Sequence, residues 1–253
     1  MKFNKHQQAL IEDLFEELNA RDIQYVIPRG YEKLPEVLPG GDIDVIIHAN
    51  DYSKAISIAK DTGFKSNSPQ VEFLGLLKEG FRKPQTVFKH LVTEPSIIYH
   101  EVYQVFLGSE TGEVTTSYSE YKGYENDVMI HFMNHLAYTS PLNGQKIRVD
   151  PSVEEAMHER SKRYDLYSQP SKPDELAHLV CRGVFDKEGD FPEYYIDRCD
   201  QLWQDIRDDP QGRSDLEELL SQLFFHADDL VITTFQESNY SDLKSELIQF
   251  SEY

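Results

Sequence analysis

The stretch Leu38-Pro-Gly-Gly-Asp-Ile-Asp-Val-Ile-Ile47 restricts the fold more than any other part of the chain. Pro-Gly-Gly ends a loop, and the apolar run that follows reads as a buried strand from Ile43 to His48. Residues two apart in a strand project to the same side. Asp42 and Asp44 therefore present two carboxylates together, while Ile43 and Val45 face the other way. A carboxylate pair of this kind suits a hard, oxygen-seeking cation such as Mg²⁺, shared with a substrate phosphate. An exposed strand start with two solvated acids would show the same letters, so Asp-x-Asp has to be weighed with its surroundings.

Those surroundings are ordered. Leu10, Ile11, Leu14, Phe15 and Leu18 fall at helical spacing, which predicts an amphipathic helix from Phe3 to Arg21. Gln24 to Pro28 reads as a short buried strand, and residues 29–41 as a loop. Asn50-Asp51 can cap a helix from Tyr52 to Thr62, with Gly63 as its stop. Further on, Glu101 to Leu107, Val128 to Tyr138 and Lys146 to Val149 carry strand-like apolar content, and the polar stretch Gly108 to Asn126 reads as a long loop or a hairpin. After Asp150-Pro151 the pattern becomes helical: Val153 to Tyr164, Asp174 to Phe185, Tyr194 to Ile206, Leu216 to His226 and Asp242 to Phe250, with a turn at Ser168 to Pro173. The order predicts an α+β fold with a mixed sheet flanked by helices over 1–150 and an all-helical part over 151–253.

Composition narrows the function. The chain has 253 residues, is 39% hydrophobic and carries a net charge of −20 from 25 basic and 45 acidic residues. Such a balance disfavours a broad nucleic-acid-binding surface, whose affinity comes from Lys and Arg neutralising phosphates. An acidic protein that takes nucleotides must supply a cation or local basic side chains for them. No apolar run approaches a membrane span, and Met1-Lys-Phe-Asn-Lys-His has no apolar leader, so a cytoplasmic protein without membrane association is expected. Cys181 and Cys199 read as thiols, not as a zinc site or a disulfide framework.

Taken together, the short strand, Arg29-Gly30-Tyr31, the loop, and Asp42-Ile-Asp-Val-Ile-Ile47 resemble the signature of the nucleotidyltransferase superfamily, whose core is similar to that of DNA polymerase β. The likeness covers Phe3 to Asp150 and is strongest to polysaccharide-associated and uncharacterised members with an Arg-Gly-Tyr-like turn and Gly-Gly-Asp-Ile-Asp. The helical segment around Glu175 to Asp186 is similar to helices appended in that group.

The resemblance implies a nucleotidyltransferase-like sheet and an enzyme that moves a nucleoside monophosphate from an NTP, ATP being the expected one, to a hydroxyl of a small-molecule, sugar or protein acceptor. It implies Mg²⁺ or Mn²⁺ held by Asp42 and Asp44, and a nucleotide site that draws on Arg29, Gly30, Tyr31 and Gly41. Gly at the turn lets backbone amides approach the phosphates. Tyr31 stands where the family has a small residue, and Arg29 beside it can hold phosphates or pair with a neighbouring Glu. A third carboxylate on a later strand normally accompanies the pair. Aligning that strand with Met129 to Leu136 puts His131 in its place, either as a catalytic base or as the mark of a non-catalytic nucleotide- or protein-binding member. Glu101 is a substitute acid.

A glycosyltransferase also carries Asp-x-Asp, but there the apolar strand leads into the motif, and here it follows. His178, Arg182 and Asp186 share a helix face. They form either a solvated or ion-paired stripe or a face that closes over the nucleotide or acceptor. Lys83, Lys89 and His90 are further contact candidates. His135 and Asn134 read as structural, and the pairs Tyr194-Tyr195 and Phe224-Phe225 as core.

Overall fold

A computed structural model describes residues 1–39, 41–66, 119–140, 146–187 and 189–247. The expected strand Glu101 to Leu107, the acid Glu101 and the contact candidates Lys83, Lys89 and His90 lie outside the described residues. Helix α1, Lys5–Ala20, begins where Asn4 caps it: the Asn4 side chain accepts from the His6 and Gln7 amides, and the Gln7 side chain accepts from the Asn4 amide. Its Ile11, Leu14, Phe15 and Leu18 are fully buried, each contributing about 1.5–3 kcal/mol through apolar burial.

The main sheet runs β1 (Tyr25–Val26), β2 (Ile43–Ile47), β5 (Val128–Met133), β4 (Glu120–Glu125), β3 (Lys65–Ser66) in spatial order. β2 and β5 are parallel, and the other pairs are antiparallel, so the sheet is mixed. Helix α2, Tyr52–Asp61, follows β2 and ends before Gly63 at φ 103°. The Asp51 side chain makes no cap bond to it and accepts instead from the Gln24 amide at 3.1 Å.

The polar stretch before residue 126 resolves, over its described part, into one arm of a hairpin. β4 and β5 meet at Asn126-Asp127, both in the left-handed region at φ 49° and 62°, as a two-residue turn that follows strand twist requires. The expected strand Val128 to Tyr138 breaks after Met133, and β6 (Ala137–Thr139) pairs with β7 (Lys146–Arg148) in a separate ribbon.

Alternation along the strands divides the interior in two. Ile43, Val45 and Ile47 of β2, with Ile130 and Phe132 of β5, pack against α1 and α2. Val26, Ile46 and Met133 face the other way and join the cluster built by the C-terminal helices. These are α3 (Pro151–Arg160), α4 (Lys172–Cys181), α5 (Glu193–Ile206), α6 (Pro210–Phe224), α7 (Asp228–Glu237) and α8 (Leu243–Leu247). The sheet thus lies between two helical layers, and the apolar cluster on its second face crosses residue 150.

The all-helical expectation for 151–253 needs one correction. Helix α3 stops at Arg160, and β8 (Lys162–Tyr164) and β9 (Tyr167–Gln169) form a ribbon. Two contacts hold it there: the Ile27 amide donates to the Ser168 carbonyl at 2.9 Å, and the Tyr167 ring packs edge-on to Phe15 at 5.1 Å. Tertiary pairing with the sheet overrides local helical periodicity at Tyr164. Helix α6 starts well before Leu216 because Asp209 and Pro210 supply a cap and first turn. The pair Phe224-Phe225 splits, since Phe225 takes φ 52° and stands 73% exposed.

Candidate metal and nucleotide site

Asp44 lies between the apolar residues of a strand buried on both faces, directly opposite His131 in the β2–β5 register. Being two residues from Ile46, Asp44 projects to the sheet face that the C-terminal helices cover, and His131 does so with Met133. Asp42, just ahead of the strand and half-buried, completes the group. Ligand atoms of Asp42, Asp44 and His131 all lie within 4.8 Å of one another.

Both oxygens of Asp44 are engaged. Arg29 Nη2 donates to Oδ2, and His131 Nδ1 lies 3.2 Å from Oδ1. His131 Nε2 sits 3.1 Å from Glu120 Oε2, and Glu120 also pairs with Lys146. Glu120 is the diagonal neighbour of His131 across β4 and β5, since Lys122 is its direct partner. The result is a line of alternating charge, Arg29, Asp44, His131, Glu120 and Lys146.

Burial opposes ionisation of Asp44, but the His131 hydrogen bond and the Arg29 and Arg182 guanidiniums outweigh it and hold the carboxyl well below the usual range. Asp42 goes the other way: burial first, then the Asp44 charge, push its carboxyl up. For His131, burial favours the neutral ring, yet Asp44 and Glu120 raise its pKa above the ordinary value.

The remaining expected residues separate. Gly30 occupies a left-handed turn at φ 71°, where a side chain would be strained and would meet Pro39 at 3.4 Å. Gly41 is exposed, with nothing within 4 Å of the position its Cβ would take. Tyr31 is buried and its hydroxyl donates to Glu175. Glu175, fully buried, also takes two hydrogen bonds from Arg198 at 2.7 Å, and Arg198 reaches Glu32 at 3.0 Å. The loop carrying Arg29, Gly30 and Tyr31 is therefore fastened to α4 and α5.

Of the readings for His178, Arg182 and Asp186, the ion-paired one holds for Arg182 and Asp186, and the solvated one does not hold for the buried His178. The chain leaves α4 through a π-helical turn, Arg182–Asp186, closed by the Lys187 amide on the Arg182 carbonyl at 3.0 Å. His178 is buried and its Nδ1 meets the Tyr138 hydroxyl at 2.9 Å. Arg182 pairs with Asp186 at 3.1 Å, and Asp186 accepts from the Thr139 amide at 2.8 Å. Sequence reasoning missed Glu120 and underweighted Arg182. Alternation in Glu120-Tyr-Lys-Gly123 is the signal for the first; no local signal marks the second.

No protein-family model, curated protein or solved structure matches this chain. Among the described residues, no helix is long and apolar enough to cross a membrane.

Proposed function

We propose that the chain is a divalent-cation-dependent nucleotidyltransferase that moves a nucleoside monophosphate from an NTP, for which ATP is the first probe, to a hydroxyl acceptor. The observation that carries this reading is the convergence of Asp44 and His131 on neighbouring parallel strands with Asp42 just ahead of the first, their ligand atoms within 4.8 Å of one another.

The donor set fits the cation. Asp42 is half-exposed and its carboxyl is held up by burial and by Asp44, a repulsion that a bound cation relieves. Two carboxylate oxygens suit Mg²⁺ or Mn²⁺, whereas the His131 nitrogen is not a donor Mg²⁺ favours, so Asp42 and Asp44 are the residues that would hold it. When bound, it neutralises phosphate charge and orients the α-phosphate.

The acceptor oxygen then forms a bond to the α-phosphorus as the bond to the bridging oxygen of the β-phosphate breaks, and pyrophosphate leaves with that electron pair. Glu120 fixes the His131 ring through Nε2, which leaves Nδ1 as the nitrogen presented to the acid pair. His131, a donor toward both Asp44 and Glu120, keeps Asp44 ionised for the cation, and the hydroxyl proton passes to the half-exposed Asp42 carboxylate.

A second reading also has an observation behind it: Asp44 is satisfied on both oxygens by Arg29 and His131, as in a member that binds nucleotide without turnover. Calorimetry with ATP and Mg²⁺, together with pyrophosphate release in the presence of sugar and alcohol acceptors, separates the two. Binding with release supports the transferase, and binding alone supports the second reading. Neither survives if the wild-type protein binds no ATP with Mg²⁺, or if Asp42→Asn with Asp44→Asn binds it as tightly; a loss of at least about ten-fold, or 1.4 kcal/mol, is expected.

A further inference from the structure

Buried polar atoms are nearly always paired, so a group of atoms left without partners calls for an explanation, a bound polar ligand among them. Here four of them belong to one neighbourhood. Arg29 Nε, Arg182 Nε, His178 Nε2 and the Tyr194 hydroxyl are buried without a hydrogen-bond partner among the described residues. Arg29 is 8% exposed and His178 4%, so bulk water does not serve them.

The four come from both parts of the chain. Arg29 follows β1. His178 and Arg182 stand one turn apart at the end of α4, and Tyr194 opens α5. Val26 and Ile46 join the helical cluster, which brings the strand ends beside Arg29 and Asp44 to the face that the helices cover. Arg182 is aimed by a relay in which the Thr139 amide holds Asp186 at 2.8 Å and Asp186 holds Arg182 Nη1 at 3.1 Å. The Arg182 charge is felt at Asp42 and at Asp44, the Arg29 charge at both acids and at Tyr194, and both arginine charges at His178.

A guanidinium presents its N–H groups in a planar fork that matches the oxygens of a phosphate. Two guanidiniums with unused Nε–H, beside a carboxylate pair that suits a divalent cation, describe a place for a chain of phosphates. They also answer the charge problem of a protein at −20, since the local cations lie where the polyanion has to go.

We infer that Arg182, with Arg29, His178 and Tyr194, forms a subsite for the β- and γ-phosphates of the nucleotide, so that the helical part supplies half of the phosphate grip. The inference rests on the nucleotide reading above and extends it to a residue outside the Asp-x-Asp motif. Arg182 touches substrate in this reading and Asp186 is a positioning residue.

The test uses the full chain and inorganic pyrophosphate, titrated by calorimetry once with Mg²⁺ and once with EDTA. Arg182→Met is expected to weaken pyrophosphate binding at least ten-fold in both conditions. Arg182→Lys, which keeps the charge and loses the fork, should fall between, with thermal unfolding of each variant confirming that it is folded. Pyrophosphate should compete with ATP. The inference is overturned if wild type binds no pyrophosphate in either condition, if Arg182→Met binds as wild type does, or if ATP and pyrophosphate bind together, which would place the phosphates on an acceptor. Arg182-dependent pyrophosphate binding without nucleotidyl transfer leaves the subsite standing and removes the transferase reading, so the two fail separately.

Discussion

Replacing Glu175 tests the coupling between the glycine turn and the helices. The carboxylate has no exposure and accepts two hydrogen bonds from Arg198 and one from Tyr31. Removing one partner of a buried ion pair generally costs about 3–5 kcal/mol, because the other charge is left in a poor solvent. Arg198 keeps Glu32 at 3.0 Å and Gln201 at 3.0 Å, so Glu175→Ala belongs at the low end, about 3 kcal/mol.

In a chain of this size that corresponds to a fall in Tm of roughly 6–12 °C. Urea unfolding followed by the fluorescence of Trp203, the single tryptophan and a buried one, measures it. Arg198→Met adds a sign. It strands Glu175, whose carboxyl burial already pushes above its ordinary range. An acid with a raised folded pKa contributes fully below its unfolded value and loses that contribution as pH rises, so this variant should weaken relative to wild type as pH rises above 4.5, the ordinary value. Glu175→Gln in the Arg198→Met background should abolish the pH trend and recover about 1–3 kcal/mol as coupling. A Glu175→Ala change below about 1 kcal/mol, or an Arg198→Met variant with no pH trend, would refute the claim that this pair is a desolvated fastening.

Two further substitutions probe other parts of the fold. A Cβ at Gly183 would stand 2.3 Å from Phe191 inside the π-helical turn, so Gly183→Ala should destabilise by about 1–3 kcal/mol in chemical denaturation; an unchanged midpoint would show that the turn has slack. His158 is pushed down to about 4, by burial first and then by His48, whose ring lies 5.4 Å away. The unfolded state takes up a proton near pH 6.5 and the folded state only near 4, so stability present above 6.5 is lost as pH falls. His158→Gln should lose about 2 kcal/mol less than wild type between pH 6.5 and 5, and parallel curves would contradict the assignment.

How much of this was legible depended on whether the information is local. Helix α1 could be read because its apolar spacing and its Asn4 cap lie in one segment, and β2 because a loop of prolines and glycines delivers an unbroken apolar run. The acid pair and His131 were legible through motif spacing, and the register Asp44 to His131 places them together. Glu120 was hidden because the alternation of Glu120-Tyr-Lys-Gly123 is short and largely polar, and pairing with strands on both sides is what makes it a strand. The ribbon at Lys162 to Gln169 was hidden because its stability comes from Ile27 and Phe15, far away in sequence. Arg182 was ambiguous for a related reason: whether a helix face meets solvent or a sheet depends on what packs over it. Tyr31, expected near the nucleotide, has its hydroxyl committed to Glu175.

The turn at Asn126-Asp127 has a consequence beyond its hairpin. Its two left-handed residues fix how β4 slides against β5, and a slip of one residue would turn every side chain of that strand to the other face. Glu120 sits at the far end of the same ladder, so a turn at one edge of the molecule decides whether His131 finds its carboxylate at all. Positioning the ring is then a matter of counting peptide units from Asn126, and chemistry at the acid pair inherits its alignment from that two-residue turn.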